Sequence, residues 1–114
     1  MKKTKFIILS ALVIFTKVAF GHPPSDIKIN YDPNMKMLKA LITHNVLDTA
    51  AHHIKKVDVT ENENQIIEQI ISIQDNNDNQ TVIYYVPNVK KGDILGVEAF
   101  CSIGGQLKKE ITVK

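Results

Sequence analysis

From residue 25 onward, apolar and polar positions alternate in short runs rich in β-branched residues, the pattern of half-buried strands. In DIKINY (26–31), Ile27, Ile29 and Tyr31 share one face, and DPN (32–34) ends the run in a turn. KMLKALIT (36–43) resumes the alternation with Leu38, Ala40 and Ile42 inward. After a loop, HHIKKVDVT (52–60) predicts a third strand. Its apolar parity slips between Ile54 and Val57, as one extra residue in a β-bulge makes it do.

NQIIEQIISI (64–73) carries two signals. Ile66, Ile67, Ile70 and Ile71 have helical spacing, yet five isoleucines within eight residues favour a strand, and a strand is predicted. DNNDN is a turn and QTVIYYV the next strand. NVKKGD (88–93) turns again, ILGVEAFCS is a strand, IGGQ a turn and LKKEITV the last strand. Seven strands spaced by about 8 to 12 residues predict an all-β chain folded as an Ig-like seven-stranded β-sandwich. With one cysteine and no tryptophan, it lacks the paired cysteines and core indole of antibody-type domains.

The first residues follow another logic. Lys2, Lys3 and Lys5 precede a short apolar run from Ile7 to Phe15, and Ala19 and Gly21 put small residues at a cleavage site. That is the layout of a secretory signal peptide over residues 1–21, too short for a comfortable membrane span and closed by Lys17. The expectation is export, periplasmic or extracellular, with no membrane span after cleavage and one domain over residues 22–114. Removing the signal changes the charge, because ten lysines then face twelve carboxylates, a formal −2 with no arginine. Such a domain is a poor nucleic-acid binder. A lone cysteine excludes an internal disulfide, the usual staple of small exported domains, so the core suffices alone or a metal helps hold it.

Candidate chemistry gathers in few residues. All four histidines, His22, His44, His52 and His53, lie in the first third of the mature domain. His22 would be its first residue, stiffened by Pro23 and Pro24; His44 comes where the second strand runs out. His52 and His53 open the third strand and point to opposite faces, so at most one of the pair can easily point at a shared site. Cys101 shares the apolar parity of Leu95, Val97 and Ala99, the place of a buried small hydrophobe. It also stands at a strand end just before Gly104 and Gly105, where the loops of a sandwich rim converge. A thiolate with several imidazoles suits iron, copper or zinc.

In HPPSDI, THNVLDTAAHHIKKVDV and VEAFCSIGG, taken in that order, the chain resembles the iron-binding domain of the desulfoferrodoxin and neelaredoxin superoxide reductases. The resemblance spans nearly all of residues 22–114. It implies an Ig-like sandwich with a ferrous centre of four equatorial histidines and an axial cysteine thiolate. His22 matches the family's early histidine and Pro24 its proline. His44 matches the histidine of the His-Pro-Met segment, with Asn45 and Val46 in place of Pro and Met. His52 matches the histidine before Tyr-Ile, with His53 at the tyrosine and Ile54 retained. Cys101 matches the thiolate ligand. Gly104 departs from the pattern, standing where the fourth histidine belongs, and, with the signal cleaved before His22, the lysine that the family commonly carries just before its first histidine is missing at that place. Lys55 and Lys56 lie near in sequence, on what reads as a solvated strand edge.

Three functions follow as expectations. The first is an exported non-haem iron (Fe2+/Fe3+) protein, with His22, His44, His52 and Cys101 as metal ligands. It would reduce superoxide to peroxide by one electron from an external electron donor; without a Cys-x-x-Cys pair, the chain has no rubredoxin-like domain of its own. The second is a copper-binding module that uses the α-amino group and imidazole of a mature N-terminal His22. The third is a non-catalytic sandwich that binds a partner and keeps a degenerate metal site, a reading that Gly104 favours.

Overall fold

The computed structural model describes residues 21–114. The signal peptide expected over residues 1–21 therefore lies outside the described residues, apart from Gly21. Within them the chain forms seven strands and no helix: β1 (Asp26–Asp32), β2 (Met37–Thr43), β3 (Ile54–Glu61), β4 (Asn64–Ile70), β5 (Asn79–Tyr85), β6 (Ile94–Cys101) and β7 (Gln106–Thr112). They make two antiparallel sheets, a three-stranded one in the order β1-β2-β5 and a four-stranded one in the order β4-β3-β6-β7. The seven-stranded sandwich expected from the strand pattern is the observed fold.

Alternation is the physical reason for the two layers. Leu38, Ala40 and Ile42 of β2 are wholly buried and meet Val57 and Val59 of β3 and Leu95, Val97 and Ala99 of β6 from the other sheet. Each fully buried leucine or isoleucine contributes about 1.5–3 kcal/mol relative to an exposed one. The parity slip in β3 is a bulge: Ile54 pairs with Cys101 and Lys56 with Phe100, leaving Lys55 as the extra residue. Without it, Ile54 and Val57 would face opposite ways; with it, both are buried.

The isoleucine-rich segment is β4, joined to β3 by a tight hairpin in which Asn62 and Glu63 take φ of 50° and 71°. As an edge strand it packs Ile67 against the core and leaves Ile66 and Ile70 exposed. Their helix-like spacing therefore reflects the two faces of one strand. The open sides of the sandwich are tied across the sheets, by Lys109 Nζ to Asp26 Oδ1 (3.2 Å) between β7 and β1 and by Tyr84 OH donating to Gln69 Oε1 (2.6 Å) between β5 and β4.

Antiparallel pairing brings the ends of β2, β4 and β6 and the starts of β1, β3, β5 and β7 to one rim. Three loops, 44–53, 71–78 and 102–105, and the segment 21–25 meet there. Every sequence-predicted site residue lies at this rim.

Candidate metal centre

His22 is placed by close packing of backbone on backbone. A Cβ added to Gly21 would collide with the backbone of Ile103 and Gly104, and one added to Gly105 would lie 2.8 Å from Pro23 N. Segment 21–23 thus lies directly across the β6–β7 turn, and Gly105, at φ 94°, is both close to it and in a conformation that favours glycine. Ser25 N then donates to Thr43 O (2.9 Å), tying the segment to the end of β2.

His44 follows β2 and is 1% exposed. Its backbone N–H donates to Asp78 O (2.9 Å), and two residues on Val46 N donates to Asn77 O (2.8 Å). The DNNDN segment is therefore a brace as well as a turn: Asn77 Nδ2 also donates to the carbonyls of Val46 and Leu47, while Asn76 Oδ1 accepts from the N–H groups of Asp78 and Asn79. The His44 ring contacts Gln74, its Nδ1 lying 2.8 Å from Oε1.

His52 closes the same loop. Asp48 Oδ1 accepts from the N–H groups of Ala50 and Ala51, and His52 N donates to Asp48 O, a single tight turn that delivers the imidazole. Beyond it the backbone of His53 is fastened to the residue that follows β6: Ser102 N donates to His53 O (2.8 Å) and His53 N donates to Ser102 Oγ (3.0 Å). His53 stays outside the cluster, its Nδ1 buried and without a hydrogen-bond partner. Of the adjacent pair, His52 is the one whose ring nitrogen falls in the cluster.

The three rings converge, tilted or edge-on to one another. Centroids lie 4.7 Å apart for His22 and His44, 4.8 Å for His22 and His52, and 5.0 Å for His44 and His52. One ring nitrogen from each lies within 4.8 Å of the others. Cys101, 1% exposed on the inner face of β6, stands one step outside this trio and joins it through His52, whose Nε2 is 3.1 Å from Sγ. Burial first, then the nearby His44, His22 and His53, hold His52 below the ordinary imidazole value, which favours the neutral ring that coordinates metals.

Gly104 contributes no side chain, and a Cβ there would meet nothing within 4 Å. Its φ of 155° is one that side chains rarely adopt, so the turn is built for glycine. A solvent-facing hollow of about 730 Å³ opens beside the rings, lined by His22 and His52 together with Asp48, Asp78, Leu47 and Asn77 among others. Neither Lys55 nor Lys56 lines it; Lys56 pairs with Asp58 and Glu68 and lies over the Phe100 ring.

Sequence reasoning missed Gln74. A glutamine between Ile73 and Asp75 carries no mark of its role, which comes from a partner thirty residues away.

Fold and site together describe an all-β sandwich with a histidine cluster and a buried thiol at one rim, a donor set that fits a transition metal. No protein-family model matches the chain, and no curated protein does. Among solved structures, the chain is similar to the superoxide reductase (neelaredoxin) from Ignicoccus hospitalis, at 14% identity over 83% of this chain and 95% of that one, with a TM-score of 0.48. A variant of that protein is 16% identical over 84% and 83% of the two chains, with a TM-score of 0.47. The likeness is distant and concerns the fold.

Proposed function

We propose that the chain is an exported non-haem metalloprotein in which His22, His44, His52 and Cys101 hold one iron ion for a superoxide-reductase-like activity. The observation that carries this reading is the convergence of three imidazoles within 4.8 Å, with the chain's one thiol 3.1 Å from His52. When bound, ferrous iron would supply the electron that, with two protons, turns superoxide into hydrogen peroxide, and an external donor would restore it.

The protein's own part is arrangement. The Asp48 turn aims His52, the glycine-lined contact seats His22, and the Asp78 carbonyl holds the backbone N–H of His44. Burial keeps Cys101 away from solvent oxidants, and the hollow beside His22 and His52 admits small molecules. Copper is the second reading, favoured by an exposed His22 that adds its nitrogen donors to two other imidazoles.

Metal analysis of anaerobically purified protein tests both. One iron per chain, with a thiolate-to-iron absorption on oxidation that Cys101→Ser abolishes, supports the first reading. Stoichiometric copper that survives Cys101→Ser replaces it with the second. Protein that takes up neither ion, even when each is supplied, overturns both and leaves a non-catalytic sandwich.

A further inference from the structure

Three backbone groups of fixed sense decide which way the side-chain amide of Gln74 faces. The N–H of Ile54 only donates, and it points at Oε1 from 3.2 Å. The carbonyls of His44 and Asn76 only accept, and they lie 2.8 and 2.9 Å from Nε2. Turning the amide over would set its NH2 against an N–H and its oxygen against two carbonyls, three repulsive contacts in a side chain that is 2% exposed. Oε1 therefore faces His44, and because an amide oxygen only accepts, His44 Nδ1 at 2.8 Å must be the donor.

In a neutral imidazole, a proton on Nδ1 leaves Nε2 as a bare lone pair. We propose that Gln74 is a positioning residue that locks His44 in the Nδ1–H tautomer and so presents the Nε2 lone pair to the cluster. Nε2 lies 3.3 Å from the carbonyl oxygen of His22, so an acceptor faces an acceptor, a contact that a cation at Nε2 turns favourable. With His44 itself 1% exposed, water has little access to relieve it. The consequence for metal affinity rests on the metalloprotein reading given above; the tautomer does not.

The test begins with metal-free protein labelled with 15N at about pH 8.5, two units above the ordinary imidazole value of about 6.5. Long-range 1H–15N correlation then reads the tautomer of each histidine directly. His44 is expected as Nδ1–H, and an Nε2–H ring in the wild type overturns the proposal without any variant. Gln74→Leu removes the acceptor at nearly constant volume and is expected to shift His44 towards Nε2–H and to weaken metal binding about 10- to 100-fold. Retention of Nδ1–H in that variant overturns the proposal.

Gln80→Leu is the structural control. Gln80 braces the same loop by accepting from Asp75 N and donating to Asp75 Oδ1, and its side-chain hydrogen bonds go to Asp75 and Thr81 rather than to His44. If it shifts the tautomer as far as Gln74→Leu does, loop order is the cause and Gln74 has no special role. Should Gln74→Leu fail to fold, the wild-type spectrum decides the question. A wild type with Nδ1–H on His44 that takes up no metal upholds the role of Gln74 and sinks the metalloprotein reading.

Discussion

An imidazole coordinates through a lone pair, and at the residue scale the surroundings of His52 favour the form that has one. Burial and three neighbouring histidines hold its pKa below the ordinary value. As pH falls, the unfolded chain therefore takes the proton first, and the contribution of His52 to stability is whole above about pH 6.5 and is lost as pH drops through the lower folded value. Urea denaturation of the metal-free protein should show stability falling as pH drops below about 6.5, and His52→Gln should flatten that slope. An unchanged slope would mean that His52 is solvated like a free imidazole. Asp48 acts in a lower window: the N–H groups of Ala51 and Ala50 hold its carboxyl below the ordinary value. Its contribution is whole above that ordinary value and lost in stronger acid, so the two steps separate along the pH axis. The four proposed ligands were legible as residues because histidine and cysteine are scarce here and fall in a known order. Gln74 was not, since its role exists only in the contacts of a buried amide.

Elements carry a different lesson, clearest in the glycines of the β6–β7 turn. In sequence, Gly104 reads as a lost ligand; in the fold, its turn is the floor on which segment 21–23 lies. Gly105→Ala and Gly92→Ala separate conformation from packing. Both glycines have nearly the same φ, 94° and 93°, and each substitution stores strain of about 1–3 kcal/mol. Only at Gly105 would the new Cβ press on Pro23; at Gly92 it meets nothing within 4 Å. Denaturation should therefore show a loss of stability for both and a larger one for Gly105→Ala, whereas metal titration should show weaker binding for Gly105→Ala alone. Equal weakening would mean that the contact does not seat His22. The bulge at Lys55 was readable from sequence because parity is a local property of one strand. The brace from Asn77 to the carbonyls of Val46 and Leu47 was not, because DNNDN is an equally good turn without it.

On the scale of the whole molecule, the charge around the entrance bears on the proposed reaction. The hollow beside His22 and His52 is lined by Asp48 and Asp78 and by no lysine, and Lys56 is committed to Asp58 and Glu68. Such a mouth repels a small anion, and salt screens that repulsion over a Debye length of about 8–10 Å at physiological ionic strength. With iron-loaded protein, the rate of superoxide consumption should rise with ionic strength, and Asp78→Asn should raise the low-salt rate. A rate that falls with added salt would show that lysines elsewhere steer the anion and that the mouth does not govern entry.

Taken alone, the sequence determined seven strands, their inward faces, the bulge and the residues able to hold a metal. These depend on period-two alternation, turn chemistry and residue type, all of which act over a few neighbours. Only the tertiary structure decided that His22, His44 and His52 share one point, that Cys101 reaches it through His52, and that His53 does not. It also decided that Gln74 orients His44 and that carboxylates line the entrance. Those outcomes depend on how two sheets and three loops meet at one rim, where the partners are about twenty to eighty residues apart and no local pattern encodes the pairing.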